Sequence, residues 1–153
     1  MDQTWFTNKL FWCLGATSGI GYAVCQELAQ KKVRLIISAR KDTGFEEKKN
    51  ELLTLGASEV KFVPFDMKND DPTHLTESVL QGEKLNGVLL NAGGPKSGKL
   101  LTLNYEDFLD ANKLILAGPA RFLSACLKYL EPQNSSVVSI TSTSVKEPVG
   151  ELN

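Results

Sequence analysis

The chain has 153 residues, the length of one domain, with 42% hydrophobic residues and a formal net charge of −1. That mixed, near-neutral charge excludes a basic nucleic-acid-binding face, and no uncharged run approaches a membrane span. No basic, apolar, small-residue leader opens the sequence, so a soluble cytoplasmic protein without nucleic-acid or membrane partners is expected.

Apolar runs alternate with helical patterns from end to end, the signature of βαβ units on a parallel sheet. The first strand is expected over Lys9 to Leu14 and the first helix over Gly19 to Lys31. Val33 to Ser38 reads as a second strand, and Thr43 to Leu55 as a helix stopped by Gly56. Glu59 to Pro64 alternates as a third strand, Pro72 to Gln81 carries Leu75, Val79 and Leu80 at helical spacing, and Gly87 to Asn91 is a short buried strand. A loop over Gly93 to Gly98 precedes a long helical pattern from Tyr105 to Leu130, and Val137 to Thr141 gives a fifth strand. Gly118-Pro119 interrupts that long pattern. An interior proline costs about 3 kcal/mol, so a kink, or a second helix with Pro119 in its first turn, is expected there. Right-handed crossovers with a reversal after the third strand give the order 3-2-1-4-5, with a ligand crevice at the carboxyl ends of strands one and four.

Between the first strand and first helix stands Gly15-Ala16-Thr17-Ser18-Gly19-Ile20-Gly21. Strand, glycine-rich turn and helix is the layout of a dinucleotide site, although a glycine-rich turn without a ligand has the same spelling. Gly15 would let the chain leave the strand, Gly19 would admit a diphosphate to the backbone, and Gly21 would let the helix pack tightly on the strand. The amides of the first helical turn would then face the anion. Cys13, Cys25 and Cys126 fall in predicted core segments, with no CxxC and no histidine at ligand spacing. They read as buried reduced thiols, and no metal site is expected. His74 follows Pro72 at the start of a polar helix and reads as a surface residue.

Together with Asp66 after strand three, Asn91-Ala92-Gly93 after strand four and Ile140-Thr141-Ser142 after strand five, the glycine motif resembles the short-chain dehydrogenase/reductase family along nearly the whole chain. The resemblance implies a Rossmann-type, doubly wound parallel sheet, incomplete on its C-terminal side, in a single domain over residues 1–153. It implies that the loop containing Gly15, Thr17, Ser18, Gly19, Ile20 and Gly21 holds the cofactor diphosphate. Asp66 and Met67 would flank the adenine, with a helix cap near Asn69 and Asp70 as the other use of Asp66. Asn91, Ala92 and Gly93 would line the adenosine ribose. Leu14 and Leu90 replace the family's usual threonine and first asparagine. The strings Asn91–Gly98 and Ser142–Pro148 look like a divergent branch, the 3-oxoacyl-carrier-protein reductase-like proteins.

An NAD site typically places an acid at the end of strand two, where this chain has Ser38-Ala39-Arg40-Lys41. With Ala39 at the acid's position, Arg40 can grip a 2′-phosphate and Lys41 adds positive charge, so NADP(H) is expected in preference to NAD(H). Arg40 as an ordinary surface cation is the other option.

For catalysis, the resemblance implies that Ser142 positions the substrate oxygen, with Ser144 a less favoured candidate. The family's tyrosine and lysine positions fall just beyond Asn153, so this chain alone would be inactive. In the gapless register Phe108 and Ala125 take family positions and Ile115 occupies the site of the family's catalytic asparagine, which disfavours the otherwise attractive Asn112. The function implied is NADP(H)-dependent hydride transfer on a small carbonyl or alcohol, with this chain as the nucleotide-binding portion. A non-catalytic NADP(H)-binding sensor or scaffold is the alternative. With Val137, Val138 and Ile140 on an open edge and an apolar helix face uncovered, a homo-oligomer is expected.

Overall fold

The computed structural model describes residues 3–41 and 44–142. Five strands form one parallel sheet: β1 (Leu10–Leu14), β2 (Arg34–Ser38), β3 (Glu59–Phe62), β4 (Gly87–Leu90) and β5 (Ser136–Ser139). Their order is β3-β2-β1-β4-β5, as expected for a Rossmann-type doubly wound sheet. The chain therefore reverses direction across the sheet between β3 and β4, and the gap beside β1 opens at the strands' carboxyl ends.

Period-two alternation in β1 divides the core. Leu10, Trp12 and Leu14 face a cluster that includes Leu80 of α3 (Pro72–Leu80) and Phe122 and Cys126 of α5 (Gly118–Cys126). Phe11 and Cys13 face the opposite cluster, with Cys25 and Ala29 of α1 (Gly19–Ala29) and Phe45 and Leu52 of α2 (Phe45–Leu55). Both faces of β1 are thus covered, which is why its sequence is continuously apolar.

Local chemistry sets the ends. Gly56, at φ +121°, closes α2 by donating its amide to the Leu52 and Leu53 carbonyls. Asp71 caps α3 by accepting from the Thr73 amide at 2.9 Å, with Pro72 in the first turn.

The long helical pattern is four pieces: α4 (Tyr105–Asn112), a π-helical segment (Lys113–Ala117), α5 and a closing 3-10 turn (Leu127–Tyr129). Pro119 sits in the first turn of α5, and the wider π turn before it absorbs the ring's conflict with the preceding turn. Gly118 has its own reason to be glycine, since a methyl group there would overlap the Met67 carbonyl oxygen.

The three cysteines are buried and reduced. Contact with Cys25, together with burial, holds the Cys13 thiol well above its ordinary pKa, and burial pushes Cys126 up to about 12. His74 is exposed. Among the described residues no helix is long and apolar enough to cross a membrane.

Candidate functional site

The site begins where β1 ends. Gly15 turns the chain at φ +58°, and a methyl group there would overlap the Asn91 carbonyl oxygen. From the adjacent strand end, Asn91 Nδ2 donates to the Gly15 carbonyl at 2.9 Å. On the other side the Ala16 amide donates to the Ser38 carbonyl at 3.3 Å. The loop is therefore tied to β4 and β2 at once. Ser38 is itself fixed: its hydroxyl accepts from the buried Trp12 indole N–H at 2.9 Å. Gly21 needs to be glycine because a methyl group would meet the Gly15 carbonyl and the Asn91 amide. Its close packing is against the loop, rather than against the strand itself.

Gly19 differs. At φ +54° it disfavours a side chain, yet a Cβ there would meet nothing within 4 Å. The space it faces is a cavity of about 630 Å³ lined by Gly15, Thr17, Ser18, Gly19 and Ile20, by Arg40 after β2, by Asp66 and Met67 after β3, and by Asn91, Ala92 and Gly93 after β4. These are the candidates read from the sequence, brought to one crevice at the carboxyl end of the sheet. Gly21 lies behind the loop, Lys41 is exposed and outside the lining, and Ser142 is exposed beyond β5, also outside it. Ser144 and the rest of 143–148 lie outside the described residues. Neither Asn112 nor Ile115 lines the cavity; Ala111 and Leu114 do.

The start of α1 is uncapped and free of acids, unlike the starts of α2, α3 and α4, while α5 has no separate start because it continues the π segment. Ser18 is extended (φ −162°, ψ 170°) with no side-chain capping bond, and the first turn holds no acid. By contrast α2 has Glu46 and Glu47 in its first turn, α3 has the Asp71 cap, and α4 has a full capping box between Asn104 and Asp107. The first N–H groups of an α-helix have no intrahelical partner, and Gly19 and Ile20, at the positive end of the α1 dipole, line the crevice.

Charges around the cavity are also asymmetric. Lys68 and Lys96 line it, but Lys68 Nζ is bound to Asp110 Oδ2 at 2.7 Å, and Lys96 Nζ to the Asp107 carboxylate at 2.9 and 3.0 Å. Lys68 holds the Asp110 carboxyl below the usual range; the Asn104 backbone and then Lys96 do the same for Asp107. Among the described residues no carboxylate is paired with Arg40. Asp66 is engaged within its own turn: its oxygens accept from the Lys68 amide at 3.0 Å and from Asn69 Nδ2 at 2.9 Å. It shapes that turn and does not cap α3, and a carboxylate so used still has acceptor capacity toward the cavity. No group of three or more potential metal ligands occurs among the described residues.

The residues present fit a dinucleotide: a glycine cradle open where a Cβ would intrude, an uncapped helix start and, among the described residues that line the cavity, a cation, Arg40, with no carboxylate partner. A model of the short chain dehydrogenase family matches residues 9–153. The chain belongs to this family. It is 28% identical over 151 residues to the 11-beta-hydroxysteroid dehydrogenase-like 2 protein of Arabidopsis thaliana, covering 94% of this chain and 47% of that protein. The chain spans about half the length of the curated relatives it matches.

The fold of this chain superposes on a short chain dehydrogenase from Shigella flexneri complexed with NADP, at a TM-score of 0.89 and 16% identity, covering 99% of this chain and 66% of that one. It superposes equally on an NADH-dependent reductase complexed with NAD, at a TM-score of 0.89 and 18% identity, covering 98% and 66%.

Sequence patterns missed Lys68, Lys96, Asp107, Asp110 and Leu114. A signal was available for some of them: Lys68 follows Asp66-Met67 directly, and Asp107, Asp110, Ala111 and Leu114 share one helical face.

Proposed function

We propose that this chain is the nucleotide-binding portion of an NADP(H)-dependent short-chain oxidoreductase acting on a small carbonyl or alcohol. The observation that carries the cofactor preference is the state of the cavity's cations: Lys68 and Lys96 are neutralised by aspartates, while Arg40, beside Ala39, is not paired among the described residues. A guanidinium at that position suits a 2′-phosphate, and no acid there accepts from a free 2′-hydroxyl. The Thr17 to Ile20 backbone and Gly19 would hold the diphosphate against the start of α1. Asp66 and Met67 would border the adenine, and Asn91, Ala92 and Gly93 the ribose. Lys41 would contribute charge from outside the cavity. The bound nicotinamide supplies the hydride donor or acceptor of the reaction.

Ser142 is proposed to position the substrate oxygen from beyond β5. One observation favours a second reading, binding without chemistry: the helix wall presents Ala111 and Leu114 to the cavity, with Asn112 and Ile115 outside its lining. Titration of NADPH and of NADH, followed through tryptophan fluorescence, tests the cofactor proposal. Preferential binding of NADPH is expected; equal affinities would contradict it. Turnover of a panel of small ketones and aldehydes by the intact protein separates the enzyme from the binder.

A further inference from the structure

The outer wall of the cavity is one face of α4, from Asp107 through Asp110 and Ala111, continued by Leu114 in the π segment. No residue of α4 is fully buried, and its half-buried Leu109 belongs to neither core cluster. Farther along, the helical run is pinned by Gly118, whose backbone packs against the Met67 carbonyl. Between that pin and α4 lies the π segment, a natural place for a helix to bend. Among the described residues, the side-chain bonds that tie α4 to the rim are Lys68–Asp110, from the loop after β3, and Lys96–Asp107, from the loop after β4. These two contacts come from opposite sides of the crevice. One partner of each pair is shielded, Lys68 at 25% exposure and Asp107 at 16%, while the other, Asp110 at 56% and Lys96 at 60%, stands open to solvent.

We infer that Lys68 and Lys96 are positioning residues: acting through Asp110 and Asp107, they hold α4 as a latched wall across the crevice and set how long a dinucleotide stays bound. This rests on the nucleotide-binding function proposed above. Exposed ion pairs are individually weak, so a modest effect per pair is expected, growing when both are lost.

The test uses Lys68→Met, Lys96→Met and the double variant, which keep the side-chain stems and leave the capping box at Asp107 in place. Lys68→Arg and Lys96→Arg serve as conservative controls. NADPH dissociation is measured by displacement in stopped flow. About two- to fivefold faster release is expected for each methionine variant and about tenfold for the double, with near wild-type release for the arginine variants. Hydrogen exchange without ligand is measured on the amides of α4, and should speed up in the double variant while β1 and β2 amides stay unchanged. Unchanged α4 exchange would overturn the latch. Faster exchange with unchanged NADPH release would overturn its role in retention. If the wild type binds neither NADPH nor NADH, the nucleotide-binding function fails and the role in retention with it, whereas exchange still decides whether the pairs hold the wall.

Discussion

Strands β1 and β5 flank β4 on opposite sides, run parallel to it, and have opposite environments. Every residue of β1 is buried, whereas every residue of β5 is exposed, with Val137 at 42% and Val138 at 52%. Beside β5, an apolar groove of about 540 Å³ runs between Trp5 and Phe6 on one side and Val138 and Ile140 on the other. The helix run on that half of the molecule also leaves Tyr105, Phe108, Ile115 and Leu116 exposed. The cradle residues gather where the strands are covered on both faces. A cofactor loop has to be held to within fractions of an ångström, and a doubly covered strand does that. The β5 half, which carries Ser142, has no such support among the described residues.

The largest expected effect lies on the covered side. Ile37→Ala in β2 should cost about 2–5 kcal/mol by chemical denaturation, because the side chain is 1% exposed and its cavity has little room to collapse. Gly21→Ala should follow, at about 1–3 kcal/mol, as its methyl group forces apart the Gly15 carbonyl and the Asn91 amide. It should also weaken dinucleotide binding, and calorimetry on the variant checks both. Trp12→Phe leaves the buried Ser38 hydroxyl without its donor, at about 1–3 kcal/mol, and tests whether the tie between β1 and β2 supports the loop. Val137→Ala in β5 should be smallest, within about 0.5 kcal/mol. If Val137→Ala cost as much as Ile37→Ala, the contrast between the halves would be lost.

Most of the covered half was legible in the sequence. The periods of two and 3.6, the glycine spacing and the Asp71-Pro72 start are local signals, and they placed the strands, their order and the crevice. The Gly118-Pro119 pair announced a break, but not that a π segment would take it up, because that choice depends on how closely Gly118 meets Met67. The open edge at β5 was anticipated for Val137, Val138 and Ile140 from the family resemblance and not from local pattern: Val137-Val138 spells a core strand whether or not its faces are covered. The pairing of Lys68 with Asp110 and of Lys96 with Asp107 joins residues 42 and 11 positions apart, which no periodicity encodes. That pairing, in turn, is what singles out Arg40.

The central claim is that Arg40 receives a 2′-phosphate at the rim of the glycine cradle. It is tested most directly by a cycle of four affinities: NADPH and NADH, each on the wild type and on Arg40→Ala. The account predicts at least tenfold tighter NADPH binding in the wild type, about 1.4 kcal/mol, collapsing toward unity in the variant while NADH affinity stays constant. The same NADPH-to-NADH ratio in both proteins would contradict it.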